Sequence, residues 1–307
     1  MSRRDTALAL TVALLWGVNF IFIRIGLDAF PPILFASLRF AVSALPVVVL
    51  RRPGVPWRWV VAVGATTGCL QFAFLFSGMA AGLSTGLTSL VIQSQSGFSV
   101  LLSALFLAEP VRRGQVAGLL VAGAGIVVIA AQRGGAVTLA GVALVLFAAF
   151  WWAVGNVFIR VAKPPDALSF ICWISVLPPL PLLALSLATE GTARVGDSLR
   201  HSGPTAIAAL LYVGGVSTLI GYVLWAALLK RNAMSHVVPF TLLVPVIAVV
   251  ASVIFLGEHV TAAELGGAAL VMAGVFLTTR CPAATRRRRS RPKGVQAASA
   301  TADEGRA

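Results

Sequence analysis

Acid is scarce in this chain. Asp and Glu total 10 of 307 residues against 24 Lys and Arg, and charged residues of both signs make up only 11%. A soluble domain carries about 25%, so this chain cannot cover a water-facing surface. Cysteine and histidine number three each. Cys69, Cys172 and Cys281 sit in or at the ends of separate apolar runs, without metal-site spacing or a disulfide framework. His201, His236 and His259 fall in loops or near the ends of runs. No metal-ligand set, nucleophile–base pair or phosphate loop can be read, so an enzyme is not expected and neither is a cofactor.

What remains is apolar: 58% of the residues, with a mean hydropathy of +0.93. Runs of about 20 apolar residues mark membrane spans. Ten are present: 6–25, 33–50, 58–80, 85–107, 114–131, 138–160, 168–188, 204–229, 237–256 and 262–280. MSRRD before the first run imitates a signal peptide, but the run has span length and no small-x-small site follows, so it reads as an uncleaved first span. Pro178, Pro179 and Pro181 are expected to interrupt span 7, and Pro239 and Pro245 span 9, because proline removes a helix hydrogen bond. Broken spans usually line a cavity or move.

The formal charge of +14 points away from nucleic acid once it is mapped. Arg3, Arg4, Arg51, Arg52, Arg58, Arg112, Arg113, Arg160, Lys163, Lys230 and Arg231 gather on one side. Arg24, Arg133, Arg194 and Arg200 fall on the other. The positive-inside rule then places both termini in the cytoplasm of a bacterial-type plasma membrane. The Arg-rich stretch 281–307 reads as a disordered basic arm attracted to anionic lipid headgroups.

The chain also repeats itself. WGVNFIFIR at 16–24 returns as WAVGNVFIR at 152–160, and FLAEPV at 106–111 as FLGEHV at 255–260. The offset grows from 136 to 149 across the loop 189–203. Each half, 1–133 and 134–280, holds five spans. Five is odd, so the second half enters the membrane from the opposite side. The expected fold class is all-α integral membrane: ten transmembrane helices as two inverted five-helix repeats. That architecture suits secondary transport, because two similar halves can exchange inward- and outward-facing shapes.

Polar residues inside the spans are the site candidates. In span 4, Thr85, Ser89, Gln93, Ser96, Ser99 and Ser103 recur at steps of three or four and share about a third of the helix circumference. Gln95 widens that arc. Asn19 and Asn156 lie in the paired spans 1 and 6, Gln71 in span 3, Tyr222 and Trp225 in span 8. Amides facing lipid are costly. They serve either as interhelical glue or as the lining of a cavity for a small, polar, uncharged or zwitterionic metabolite. Arg39 is the one charge well within a span: it either snorkels outward or pairs with Asp28, or it attracts a substrate carboxylate. Glu109 and Glu258 recur by symmetry and are expected to cap the fifth helix of their own half, with proton coupling as the alternative. Small residues in spans 5 and 10 (Gly114, Gly118, Ala122, Ala263, Gly267) suggest peripheral packing, or a homodimer face.

WGVNF in span 1, Leu38-Arg39-Phe40 in span 2 and the glutamate after span 4 resemble the EamA family of the drug/metabolite transporter superfamily. QFAFLF at 71–76, GLTSLVIQSQ at 86–95, IGYVLWAALLKR at 220–231 and LLVPV at 242–246 are similar to that family as well. The resemblance implies an exporter of cysteine-pathway metabolites such as O-acetylserine and cysteine, with a central cavity built mainly from spans 1, 3, 4, 6, 8 and 9. It transfers no sharply defined binding residues.

Overall fold

The structure, a computed structural model, describes residues 2–107, 111, 113–131, 138–232 and 237–280. Glu109, His236, Cys281 and the basic tail lie outside the described residues. Within these, every regular element is helical. Lipid offers the backbone no hydrogen-bond partners, so each apolar run closes its own ladder.

Seven helices are long and apolar enough to cross a membrane: Arg3–Ala29, Trp57–Ala80, Thr85–Phe106, Arg113–Ala131, Leu139–Ala162, Ala167–Thr189 and Pro204–Leu228. Three shorter apolar helices, Pro32–Val48, Phe240–Leu256 and Ala262–Leu277, supply spans 2, 9 and 10. Leu105, Phe106, Val127, Ile254 and Phe255 are exposed, as side chains on a lipid-facing perimeter must be. A large internal cluster around Phe35, Phe76, Met79, Leu83 and Val145 ties the two halves together.

The packing follows a two-fold rule. Span 1 packs on spans 8 and 9, and its repeat, span 6, packs on spans 3 and 4. Spans 2 and 7, 4 and 9, and 5 and 10 pair across the halves. The small residues of spans 5 and 10 meet within the chain: a side chain at Gly274 would strike Gly118 and Ala122, and one at Gly267 would strike Ile129 and the Gly125 carbonyl.

Helix irregularities repeat too. Span 3 widens into a π-helical stretch at Gly64–Leu70 and span 8 at Tyr212–Ile220. The offsets, 212 − 64 = 148 and 220 − 70 = 150, bracket the 149 of the second sequence echo. Tight 3₁₀ turns occur at Ile92–Ser94 in span 4 and Val238–Leu242 at the head of span 9. Each π stretch leans on the second span of the opposite half. A Cβ at Gly64 would lie 2.9 Å from the Ile174 carbonyl of span 7, and one at Gly214 would lie 2.6 Å from the Arg39 carbonyl of span 2.

Two expectations are corrected and one holds. Residues 189–203 are not merely a loop: Thr192–His201 is a helix, amphipathic and anchored by the buried Val195. Span 7 does break between Ile174 and Pro179, as its prolines dictate. Span 9 does not break at Pro245, which is in the first turn of the regular helix Leu243–Leu256, where its missing N–H costs little. Pro239 lies in the preceding 3₁₀ turn.

Candidate functional site between the halves

Arg39 projects from span 2 into the seam between spans 3 and 8. Its guanidinium carbon lies 3.8 Å from the centroid of the Phe72 ring and 4.6 Å from that of Phe40. Nη2 donates to Thr218 Oγ1 at 2.8 Å, inside the π stretch of span 8. Arg39 is 6% exposed, so it does not snorkel. Nor does it pair with Asp28, which bonds instead to Arg24 at 3.1 Å, one turn away on its own helix. Arg39 is too far down span 2 to compete with that local pair. Its Nε is buried without an acceptor.

Tyr222 and Trp225 close on Trp16 of span 1, with centroids 5.5 and 5.4 Å away. Trp16 Nε1 donates to the Ser217 carbonyl at 3.1 Å, and the Tyr212 hydroxyl to the Leu15 carbonyl at 3.1 Å. The start and the middle of the π stretch are thereby bonded to span 1. A π turn leaves carbonyls less well served by their own helix, and Trp16 uses one of them.

The amides divide. Asn156 Nδ2 donates to Gln95 Oε1 at 3.1 Å and to Ser99 Oγ at 3.4 Å, a bridge from span 6 to span 4. Asn19, its partner in the repeat, has its Oδ1 buried with no donor. Gln71 is 4% exposed and adjoins Phe72 in span 3. Gln93 is half-buried at the 3₁₀ turn of span 4. The hydroxyls of that span are occupied locally: Thr88 bonds to the Ser84 carbonyl, Ser89 to Gly86, Ser94 to Val91 and Ser96 to Gln93. The 3₁₀ turn, at about 120° per residue, also twists the polar arc out of line. The candidates therefore form an Arg39–Phe72–Thr218 group, a Trp16–Tyr222–Trp225 group and an Asn156–Gln95–Ser99 group.

The acid of the second echo has a different target from the expected one. Gly257, at φ +64°, ends span 9 and turns Glu258 back over span 4. Its carboxylate accepts from the N–H groups of Thr85 at 2.7 Å and Gly86 at 3.1 Å. Span 10 has its own capping box, Thr261 with Glu264. Glu190, which sequence reading passed over as loop, does the same for span 2, accepting from Ile33 at 2.8 Å and Leu34 at 3.1 Å. On this face two acids of the second half hold two helix starts of the first.

The two halves match one family separately, at residues 6–131 and 139–280: the EamA-like transporter family. The chain belongs to that family. A "Probable amino-acid metabolite efflux pump" of Salmonella typhimurium is 40% identical over 284 residues, 90% of this chain and 95% of the relative. The protein of that name from Escherichia coli is 37% identical over the same shares. A "Probable terminal-alkyne amino-acid exporter" of Streptantibioticus cattleyicolor is 31% identical, covering 95% of this chain and 98% of the relative. A solved crystal structure, 22% identical, superposes with a TM-score of 0.60 over 91% of this chain and 98% of its own, which supports the fold. This EamA-type protein is thus a multi-pass membrane transporter.

Proposed function

We propose that this EamA-type chain exports small amino-acid metabolites, O-acetylserine and cysteine foremost, across the plasma membrane by alternating access. Both termini lie in the cytoplasm, and substrate enters from there, binds near the midplane between the halves and leaves outward. The observation that carries this reading is the matched pair of π stretches in spans 3 and 8. They lie at equal register in oppositely oriented halves, and each leans on the second span of the other half. Exchange between the halves then gives two shapes of similar energy. The names of the Salmonella and Escherichia relatives support an amino-acid metabolite as cargo.

The test is the culture medium of cells overexpressing the protein, assayed by mass spectrometry for cysteine, O-acetylserine and other amino acids. Gln93→Ala and Asn19→Ala variants run alongside at equal abundance. Selective accumulation of cysteine-pathway metabolites, reduced in the variants, is the expected result. Unchanged medium in every sample would defeat the substrate reading. The Streptantibioticus relative favours a second reading, a broader amino-acid exporter, which would appear as accumulation across the panel.

A further inference from the structure

Arg39 is the buried charge that the scaffold leaves incompletely answered. A cation deep in a membrane helix is costly to bury, and such residues usually face a partner, a cavity or a substrate path. The compensation here is one neutral hydroxyl, Thr218, and the faces of Phe40 and Phe72. No carboxylate among the described residues lies in ion-pair contact with it. Of five N–H donors, one has a protein acceptor and Nε is orphaned.

Gly214 of span 8 closes on the Arg39 carbonyl, as Gly64 of span 3 closes on the Ile174 carbonyl, so the close approach at both seams is made to backbone and not to a side chain. The other buried charges, Asp5 and Glu264, lie at span ends and have partners: Ser2 and Arg231 for Asp5, Thr261 for Glu264. Arg39 alone combines depth, burial and position on the seam between the first half (spans 2 and 3) and the second (span 8).

We infer that Arg39 is the anchor for the carboxylate of the transported substrate. The inference deepens the exporter reading and rests on it for the transport step. A guanidinium offers a carboxylate two parallel donors, the strongest geometry available to a neutral-pH ion pair. The rings of Phe40 and Phe72 border it with a surface for a short apolar body. Among the described residues no acid is in ion-pair contact with this group, so a substrate ammonium is not matched by an ion pair there. The substrate class is small organic carboxylates, with the amino group tolerated rather than required.

Calorimetric titration of the full-length protein in lipid nanodiscs tests this directly. The probes are cysteine, O-acetylserine, N-acetylcysteine and the methyl esters of the first two. Carboxylates are expected to bind at least about tenfold tighter than their esters, as charge-assisted bidentate bonds imply, and N-acetylcysteine within a few-fold of cysteine. Arg39→Gln should erase the acid–ester difference, and Arg39→Lys should restore part of it. A purely structural arginine would weaken acids and esters alike. Esters binding as tightly as acids to the wild-type protein, or no acid binding at all, would overturn the inference. So would discrimination surviving in folded Arg39→Gln. The wild-type comparison decides even if that variant does not fold. Arg39-dependent binding without efflux of cysteine or O-acetylserine would uphold this site and defeat only the substrate reading above.

Discussion

Glu258 ends span 9 but holds the first turn of span 4, its carboxylate 2.7 Å from the Thr85 amide nitrogen. The two residues are 173 positions apart and belong to opposite halves. A negative charge at a helix start meets both the orphan N–H groups and the positive end of the helix dipole. Glu258→Ala should lower stability by about 1–2 kcal/mol, read as a fall in Tm in detergent. Glu258→Gln keeps an acceptor and should lose less than half of that. It should also still export. Abolished export at normal abundance in Glu258→Gln would instead make this acid part of a proton relay.

The two asparagines of the repeated segment should behave oppositely. Asn156→Ala removes the bonds to Gln95 and Ser99 and should cost about 0.6 kcal/mol, at most about 1.7, the range for hydrogen bonds between membrane helices. Asn19→Ala removes an acceptor that has no donor. Its Tm should hold or rise slightly while efflux falls. A stability loss in Asn19→Ala equal to that of Asn156→Ala would make it glue as well.

Gly214→Ala should be among the worst small substitutions in the chain. The added carbon would lie 2.6 Å from the Arg39 carbonyl, and a backbone atom cannot swing away. Overpacking of this kind costs about 1–3 kcal/mol. Gly266→Ala is the control: nothing lies within 4 Å of its Cβ position, and a helical Gly→Ala change gains up to about 1 kcal/mol. Equal abundance and equal Tm in the two variants would contradict the close span 2–span 8 contact.

The ten apolar helices were legible because apolar run length is a property of the chain read in order. Long-range partners were not. Nothing near Glu258 in sequence distinguishes span 10, which follows it, from span 4, which it caps. Arg39 seemed able to reach Asp28 by sequence distance, but Arg24 holds that acid from one turn away. The helix Thr192–His201 was masked by its own polarity, since only Val195 is buried. The π stretches GATTGCL and YVGGVSTLI carry Gly, Ser and Thr clusters that are equally common in regular membrane helices. What selects the wider turn is the neighbouring span, which sequence reading does not see.

The π stretches make the seam a matter of residue count as well as residue type. A π turn holds about one residue more than an α turn, so a chain that relaxed Gly64–Leu70 to regular geometry by losing one residue would keep Gln71 and Phe72 on roughly their present faces. One residue lost from the regular helix Gln71–Ala80 would instead turn everything after it by about 100°. The same holds for Tyr212–Ile220 and the helix Gly221–Arg231 that follows it. The widened turns are thus the places where either span can absorb a single-codon deletion without re-aiming the rest of the helix.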